Sequence, residues 1–452
     1  MKLSPKSIVY AEPMLRSWLA YQAYYRDIPG ISVGIVHGND VLFAAGFGYA
    51  DVTKKKPATS RTVYQIASIS KIFTATAILQ LVEQKRIDLD KPVSLYLSWF
   101  KSKKDPKISR ITIRQLLTHT GGIARDGRTP YWIHDRYPSE RGLRAEFLNG
   151  VTFYKPNSHF KYSNLGPSVL AALIASVAGA SYRTYIHNHI LDPLSMEHTD
   201  IQITSRIREV HARGYGRSEP GVARKAFTKI ADAKALAGAT GFSSNVTDLS
   251  RFLSAHFLGN RAILTDRSKR EMQQTQWKEP DGYKMGLGFE HWKRGKLNTI
   301  GHSGGFAGFT SRIELHQPSK IGLVVLTNVI NGPSKSLANG IFSILSHYSK
   351  RSARPAKHLL PYEGIYESRW GDEAITPLGN KLINYDPYSL EPLSHAAELS
   401  LLSGREFKIT KDAAHAFRNE TARFTPTHGK PRMFYVAAFP YRRKKIPIPH
   451  RT

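Results

Sequence analysis

Residues 68–90 read SISKIFTATAILQLVEQKRIDLD, in which Ser68 stands three positions before Lys71 at the head of a long apolar run. Positions i and i+3 lie about one turn apart on the same face of a helix. We therefore predict a buried helix here, with the side chains of Ser68 and Lys71 facing each other where it begins. The unpaired N–H groups and positive dipole at that end favour an alkoxide-like oxygen. Burial also lowers the pKa of a lysine, which lets it accept a proton.

The length and composition predict a large protein without a metal site. At 452 residues the chain is longer than one hydrophobic core usually fills, so we expect two domains. It contains no cysteine, which excludes disulfides and thiolate-bound metals. No His-Glu-x-x-His motif occurs, and His187 and His189 come nearest to a histidine cluster. We therefore expect neither a metal nor a cofactor.

The net charge is +30, from 65 Lys and Arg against 35 Asp and Glu. Such a balance favours anionic partners: nucleic acid, acidic lipid or polyanionic cell-wall material. The charge is spread out, however, and its densest clusters are not interleaved with aromatic residues as a stacking platform would be. We favour a basic surface that serves solubility, and we expect no specific nucleic-acid binding.

The first 25 residues contain neither a continuous apolar segment nor a small-residue cleavage pattern. They predict no signal peptide and no membrane span. We expect a cytoplasmic protein, or a secreted or periplasmic one if a leader has been removed.

Hydrophobic periodicity and turn residues predict the order of elements up to residue 348. Helices are expected at 10–26, 111–117, 165–179, 248–257 and 334–348, and hairpins at 31–51 and 308–328. The second hairpin turns at Gln317-Pro318-Ser319. The basic, irregular segment 205–235 is interpreted as either a mobile lid or an insertion.

A polar, proline-containing linker is expected at residues 350–357. Beyond it, short alternating runs separated by turn residues predict an all-β module of about 95 residues, such as a small barrel.

The motif Ser-x-x-Lys occurs three times, at Ser68–Lys71, Ser98–Lys101 and Ser158–Lys161. Alone it is weak, since a chain rich in serine and lysine contains such matches by chance. Context separates the three. Only Ser68 opens a long apolar helix that would hold it rigidly in a core.

The second candidate is Tyr162-Ser163-Asn164, which contains the only tyrosine of 22 with an asparagine two positions later. A tyrosine near a lysine relays protons, and an asparagine amide fixes both a lysine and a substrate carbonyl. Taken alone, the triplet is better explained as an ordinary loop. His119, after the predicted helix 111–117, is expected to order a loop behind the site.

The third candidate, Gly301-His302-Ser303-Gly304-Gly305-Phe306, directly precedes the second hairpin. We expect Leu297 to Gly301 to belong to a strand edge, along which small residues admit a substrate backbone. An exposed N–H there would pair with that of Ser68 in an oxyanion hole. His302 would donate to a substrate carboxylate or to Tyr162.

Together and in this order, the three motifs resemble those of the serine β-lactamase-like and penicillin-binding-protein-like hydrolases. The resemblance is nearest to the branch of class C β-lactamases, family VIII-type esterases and D-aminopeptidases, and it extends over about residues 10–348. Further matching segments are ISVGIVHGNDVLFAAGFGYAD, ITIRQLLTHTGGI, LDPLSMEHTD, GATGFSSNVTDLSRF and GHSGGFAGF.

The resemblance implies that Ser68 is the nucleophile that becomes acylated and that Lys71 is its general base. Tyr162 would be the partner base and acid that activates the deacylating water. Asn164 would contact the substrate amide or ester.

The resemblance also implies that His302, Ser303 and Gly304 form the third motif, and that the N–H groups of Ser68 and Gly305 form the oxyanion hole. Histidine at position 302 replaces the lysine of true class C enzymes and is usual in the esterase and peptidase branches. Its charge is conditional near neutral pH, which argues against a strong preference for a β-lactam carboxylate.

The implied fold is α/β (α+β), of the β-lactamase/transpeptidase type, over residues 1–350. It consists of an antiparallel sheet flanked by helices plus an all-helical subdomain. Residues 351–452 would hold the linker and a β-rich domain that resembles a lipocalin-like barrel. That domain would cover the cleft or mediate oligomers.

We therefore expect a cofactor-free serine hydrolase that acts through a covalent acyl-enzyme on esters, amides or short peptides, including peptides with D-residues. Alternatives are β-lactamase or D-Ala-D-Ala carboxypeptidase activity, and a basic, non-catalytic binding or scaffold protein that keeps the same fold. The expected partners are a small-molecule or peptide substrate and further copies of the chain. The basic surface would also meet anionic partners.

Overall fold

The computed structural model describes residues 3–128, 130–219, 221–227, 229–351, 354–412, 417–426 and 429–446. The chain divides into two compact units. The first, called here the barrel unit, comprises residues 1–31, 45–59 and 333–452. The second, the sheet unit, comprises residues 32–44 and 60–332. The domain boundary predicted between residues 350 and 351 stays a prediction.

The strands are short to medium in length. In chain order they are β1 (Gly30–His37), β2 (Asp40–Asp51), β3 (Lys56–Pro57), β4 (Tyr64–Gln65), β5 (Ser243–Ser244), β6 (Trp277–Lys278), β7 (Lys284–Met285), β8 (Glu290–Arg294), β9 (Leu297–Phe306), β10 (Phe309–His316), β11 (Ile321–Thr327), β12 (Gly364–Ser368), β13 (Gly371–Leu378), β14 (Lys381–Tyr385), β15 (Ala397–Ser403), β16 (Glu406–Lys411), β17 (Thr421–Thr425), β18 (Met433–Val436) and β19 (Phe439–Lys444).

The helices precede, follow and separate these strands. They are α1 (Pro5–Tyr25), α2 (Ser70–Glu83), α3 (Ile113–Leu117), α4 (Tyr131–His134), α5 (Glu140–Leu148), α6 (Leu165–Ala178), α7 (Tyr182–Ile186), α8 (Ser205–Val210), α9 (Ala237–Thr240), α10 (Val246–Ala255), α11 (Asp266–Gln273) and α12 (Ser334–Arg351).

The sheet unit is built on an antiparallel sheet in which β11 is followed by β10, β9, β8, β7 and β6. Every residue of β11 is buried. A strand buried along its whole length has both of its faces covered. The expected antiparallel sheet with flanking helices is therefore confirmed, as is the mixed helix and sheet fold class.

Helix α2 forms the centre of the sheet unit. All of its residues from Ser70 to Leu81 are buried, so it is apolar all round rather than on one face. The ring of Phe73 stacks on those of Phe242 and Phe252, with centroids 4.6 and 3.9 Å apart. This packing fixes the helix whose first turn carries Lys71.

The predicted elements are present with shifts of a few residues at their ends. The predicted helix 10–26 is α1, 111–117 is α3, 165–179 is α6, 248–257 is α10 and 334–348 is α12, and the two hairpins are β1–β2 and β10–β11. Segment 205–235 begins with helix α8, and its described residues then run irregularly up to a 3₁₀ turn at Lys234–Leu236, with Tyr215 bridging to Val329. Its role as a lid or an insertion stays a prediction.

The predicted linker 350–357 is partly structured. Helix α12 extends to Arg351, and a 3₁₀ turn occupies Lys357–Tyr362. Residues 352 and 353 lie outside the described part of the chain.

The expectation that Leu297 to Gly301 form a sheet edge is wrong. Strand β8 pairs with this part of β9, from Arg294 opposite Leu297 to Glu290 opposite Gly301. Strand β8 begins only at Glu290, so its pairing with β9 ends there. The open edge of β9 is therefore the following segment, 302–306, which is the third motif itself.

In the barrel unit, β12 to β19 form a closed antiparallel barrel, which confirms the all-β prediction for this region. Alternate residues of each strand point inward, as the pleat requires. The barrel core is mainly aromatic and aliphatic, and it includes Tyr366, Ile375, Leu382, Leu399, Phe407, Ile409, Phe424 and Phe434.

Among the described residues, no single helix is long and apolar enough to span a membrane. The pair Leu165–Ala178 and Tyr182–Leu191 meets that criterion only jointly, by length and composition, and it is bent by 81°.

Candidate active site

Ser68 lies in a 3₁₀ turn, Ala67–Ile69, immediately before α2 rather than in the helix itself. The turn is held from two sides, because the hydroxyl of Ser311 on β10 donates to the carbonyl of Ile66 at 2.8 Å, and the N–H of Ile66 donates to the carbonyl of Phe242 at 2.9 Å. Ala67 has a φ of +49°, a left-handed conformation that costs a non-glycine residue about 1–3 kcal/mol. The fold thus keeps the serine at a strained turn.

Lys71 is 2% exposed and its Nζ contacts three oxygens. It lies 2.9 Å from Ser68 Oγ, 2.8 Å from Asn164 Oδ1 and 2.9 Å from the carbonyl oxygen of Ala239. The last two only accept hydrogen bonds. A neutral amine therefore gives its two N–H bonds to them, and its lone pair faces the Ser68 hydroxyl.

Burial lowers the pKa of Lys71 to about 7, and the carboxylates of Asp126 and Glu290 oppose that shift more weakly. A substantial neutral fraction therefore exists at neutral pH. The lysine has both the geometry and the protonation state of a base for Ser68.

The second side chain on the serine is Tyr162, whose hydroxyl donates to Ser68 Oγ at 2.8 Å. Burial raises the pKa of Tyr162 above its ordinary value, so the phenol stays protonated. Its ring lies 4.5 Å from the ring of His119, whose Nδ1 accepts the N–H of Ser163 at 3.2 Å. His119 thus positions the loop that carries Tyr162, in agreement with its interpretation as a loop-ordering residue.

Both ends of the Asn164 side-chain amide form hydrogen bonds. Its Oδ1 accepts from Lys71, and its Nδ2 donates to Asp126 Oδ1 at 2.7 Å. A lysine only donates and an ionised carboxylate only accepts, which fixes this orientation of the amide. One N–H of the Asn164 amide is therefore directed at Asp126, and the contact of Asn164 with the substrate stays a prediction.

Asp126 is the residue that the sequence analysis missed. It also accepts the hydroxyl of Tyr131 at 2.8 Å and lies 3.3 Å from the Arg125 guanidinium. One sequence signal was present, since it is the only acidic residue between positions 106 and 134. That signal does not by itself indicate a partner.

The third motif lies on β9. The His302 side chain is 1% exposed, and its Nδ1 donates to the Ser303 carbonyl at 2.6 Å. Nε2 therefore carries the lone pair, and among the described residues it has no hydrogen-bond partner. Burial, with a smaller effect of the Lys71 charge, lowers the pKa of His302 to about 3. His302 is thus a neutral acceptor, not the donor expected from the sequence.

Gly304 sets the spacing between β9 and the serine turn, because a Cβ there would lie 2.2 Å from the Ile66 carbonyl oxygen. Replacing it with alanine forces the two backbones apart. We expect Gly304→Ala to lower the free energy of unfolding by about 1–3 kcal/mol and ester hydrolysis by at least about tenfold. Thermal denaturation and p-nitrophenyl ester kinetics measure the two effects.

The matched control is Gly305→Ala on the next residue, which is exposed and where a Cβ meets nothing within 4 Å. It is expected to leave the stability of the protein within about 0.5 kcal/mol of the wild type. Equal destabilisation by the two variants would contradict the role of close approach at Gly304.

The other Ser-x-x-Lys matches do not form such a site: Ser98, Lys101 and Ser158 are exposed. Within the described residues, no group of three or more His, Asp or Glu side chains is arranged to hold a metal ion. His187, one of the two clustered histidines, instead places its Nε2 3.1 Å from Asp200 Oδ2.

Aromatic side chains flank the open edge of β9. The ring of Phe306 lies 5.6 Å from that of Trp132 and 5.9 Å from that of Tyr137. These three residues form an apolar wall beside the third motif.

A buried lysine and a protonated tyrosine that converge on one serine hydroxyl are the parts of a serine hydrolase site. A model of the family described as Beta-lactamase matches residues 18–341. The chain belongs to this β-lactamase family, whose members are generally serine hydrolases.

Two curated proteins are similar in sequence to this chain. Protein flp of Staphylococcus aureus (strain MW2) is 30% identical over 310 residues, which are 67% of this chain and 60% of that protein. Penicillin-binding protein 4* of Bacillus subtilis (strain 168) is 26% identical over 317 residues, 64% of this chain and 66% of that protein. The chain thus spans about 60% of the length of protein flp.

Two solved structures are similar over nearly the whole chain. The structure described as the octameric penicillin-binding protein homologue from Pyrococcus abyssi has a TM-score of 0.64 at 24% identity, and covers 95% of this chain and 99% of that one. The structure described as SurE has a TM-score of 0.61 at 20% identity, with coverages of 97% and 99%. At these identities the likeness concerns the fold alone.

Proposed function

We propose that this protein hydrolyses esters, amides or short peptides through a covalent acyl-enzyme on Ser68. One observation carries the proposal: Lys71 Nζ and Tyr162 OH lie 2.9 and 2.8 Å from Ser68 Oγ. Incubation with p-nitrophenyl esters, a penicillin and a D-amino-acid amide, followed by intact-protein mass spectrometry, tests it. An acyl adduct that maps to Ser68 is the expected result.

In the proposed mechanism, neutral Lys71 takes the proton of Ser68 as Oγ bonds to the substrate carbonyl carbon. The carbonyl electron pair moves to oxygen, where the N–H groups of Ser68 and Gly305 stabilise it. Collapse of this intermediate expels the alcohol or amine, which receives its proton from Lys71 through Tyr162. Water then attacks the acyl carbon and gives a proton to the same pair. The bond between Oγ and the acyl carbon breaks, Oγ takes that proton back, and the carboxylic acid leaves.

The surroundings of Ser68 support an uncharged acyl donor. His302 is neutral and presents a lone pair, so it offers no positive charge to a substrate carboxylate. The wall of Trp132, Tyr137 and Phe306 suits an apolar or aromatic acyl group. We therefore place esters and amides ahead of β-lactams, which carry a carboxylate.

The activity is expected to rise with pH through about 7, because the neutral form of Lys71 is the base and its pKa is about 7. Below that pH, kcat/KM falls about tenfold per unit as Lys71 becomes protonated. Above about pH 8 it is level, since Tyr162 stays protonated there. Initial rates of p-nitrophenyl ester hydrolysis between pH 5.5 and 9 measure the profile.

Asp126→Asn provides the diagnostic variant for this profile. The Asp126 carboxylate raises the pKa of Lys71, so its removal moves the ascending limb to lower pH. The asparagine keeps an acceptor for Asn164. A limb that does not move, or one that moves to higher pH, would show that Lys71 is not the titrating group.

β-Lactamase or D-Ala-D-Ala carboxypeptidase activity is the alternative within the same mechanism. The similarity to penicillin-binding protein 4* of B. subtilis supports it. A long-lived penicilloyl adduct on Ser68, without turnover of esters, is the outcome that favours this alternative.

A non-catalytic scaffold is the alternative from another class, and the net charge of +30 motivates it. Salt-sensitive binding to DNA or to anionic vesicles, with no labelling by a fluorophosphonate, favours the scaffold hypothesis. Labelling of Ser68 rejects it.

We also propose that the protein is a homo-oligomer whose barrel is lipocalin-like. The octameric homologue of similar fold supports an oligomer, and closure of eight strands supports the barrel assignment. Light scattering of the purified chain measures the first property.

A further inference from the structure

We propose that the interior of the β12–β19 barrel binds a small organic cation, an amine that carries one apolar or aromatic group. The proposal is independent of the hydrolase assignment, because the barrel cavity contains no residue of the Ser68 site. It rests on the volume of the cavity, on unpartnered polar groups in its wall, and on its charge.

The barrel encloses a cavity of about 180 Å³. Its walls include Leu399, Ile409, Phe434 and Val436, each buried in the barrel core. A dry, apolar cavity of about 150 Å³ in another protein holds benzene. The barrel cavity therefore accommodates one aromatic ring with a short side chain.

Two of the polar side chains that line this cavity lie on the inward faces of barrel strands beside apolar core residues. Glu373 on β13 shares the inward face with Ile375, and Asn384 on β14 shares it with Leu382. Asn384 Oδ1 is buried, and among the described residues it has no hydrogen-bond partner. The Glu373 carboxyl likewise has neither a hydrogen bond nor an ion pair within the described part of the chain.

Such groups are normally paired, since an unmade hydrogen bond of a buried polar group costs about 1–3 kcal/mol. Both groups offer oxygens that can accept, which a ligand N–H donor would satisfy.

The charge of the cavity selects the sign of the ligand. Three carboxyl groups line it, on Glu373, Asp386 and Asp412, against one histidine, His395, and no lysine or arginine. This contrasts with a chain that has 65 Lys and Arg. Asp412 already accepts the N–H of Phe417 at 2.8 Å, which leaves Glu373 as the inward carboxyl that is open to a ligand. An anion would be repelled.

The surroundings of Glu373 favour the binding of a cation beside its carboxyl group. Burial and the charge of Asp386 raise the pKa of Glu373 to about 7. The rings of Phe434 and Tyr441, with centroids 5.7 Å apart, add aromatic surface that attracts an ammonium group.

The test compares three compounds of one shape on the full chain at pH 8: 2-phenylethylamine, 2-phenylethanol and phenylacetate. Isothermal titration calorimetry is expected to show the amine binding at least tenfold more tightly than the other two. Equal affinities, or no binding of the amine, would overturn the proposal. Competitive inhibition of ester hydrolysis by the amine would also overturn it, because the amine would then occupy the Ser68 site.

Variants locate the binding. Glu373→Gln keeps the shape of the side chain and is expected to weaken amine binding at least tenfold while leaving 2-phenylethanol binding unchanged. Glu406→Gln, the same change at an exposed position of β16, is expected to leave both unchanged. Equal effects of the two substitutions would refute a role for Glu373.

A second measurement needs no variant. Because a bound cation favours the ionised form of Glu373, amine binding at pH 7 is expected to release protons. Titrations in buffers of different ionisation enthalpy detect that release, and its absence would contradict the placement of the ammonium group beside Glu373.

Discussion

Replacing Ser68 with alanine is expected to lower kcat/KM for p-nitrophenyl esters by at least about 10⁴-fold. The substitution removes the oxygen on which Lys71 and Tyr162 converge, at 2.9 and 2.8 Å, and no other group can form the acyl bond in its place. The acyl adduct is expected to disappear from the intact-protein mass spectrum as well. Lys71 keeps its contacts with Asn164 and Ala239, so the fold is retained.

The matched control is Ser98→Ala, which removes the serine of an exposed Ser-x-x-Lys motif. It is expected to change the rate by less than a factor of two, since surface substitutions usually leave the free energy of unfolding within about 0.5 kcal/mol. Ester turnover and adduct formation that survive in Ser68→Ala would refute the assignment of the nucleophile.

The second large effect is expected for Lys71→Met, which keeps the volume of the side chain and removes the amine. We expect a loss of at least about 10³-fold in kcat/KM, because general-base catalysis of this kind contributes about 10²–10⁴-fold and the amine also orients the hydroxyl. Asn164 Oδ1 and the Ala239 carbonyl lose their donor, which lowers the free energy of unfolding by about 1–3 kcal/mol. Steady-state kinetics and thermal denaturation separate the two effects.

Lys71→Arg decides between a base and a fixed positive charge. A guanidinium keeps the charge but does not lose its proton in proteins, so it cannot accept one from Ser68. The variant is expected to be as inactive as Lys71→Met, and Lys101→Met, on the exposed motif, is expected to be fully active. Recovery of most of the activity in Lys71→Arg would show that charge rather than proton acceptance is required.

Sequence reasoning reached the central pair because the pair is local. Three residues separate Ser68 from Lys71, and helical geometry alone brings two such side chains together. The apolar run that follows Lys71 predicted the buried helix that holds them. The same holds for the barrel strands, whose alternation and turn residues are patterns of neighbouring residues.

The contacts between residues far apart in the chain could not be predicted in this way. Tyr162 lies 94 residues from Ser68 in the chain, and Ala239 lies 168 residues from Lys71. The order of motifs suggested the first contact, but a backbone carbonyl such as that of Ala239 has no sequence signature. Asp126 was missed for the same reason, since its role depends on which amide lies opposite it.

The charge state of His302 and the open edge of β9 also depended on the tertiary structure. A histidine in a sequence carries no information about its burial, and burial is what makes this one neutral. Likewise, β9 is not paired with β8 at 302–306, because β8 begins at Glu290, opposite Gly301.

By itself the sequence determined the helix, its lysine and the serine just before it, the order of the motifs and the β-rich character of the C-terminal region, because these follow from local periodicity and spacing. Only the tertiary structure decided which groups are hydrogen-bonded to each other, which side chains are neutral and where the edge of a strand is unpaired. Those properties depend on distances between segments far apart in the chain and on how much water each group loses when they pack.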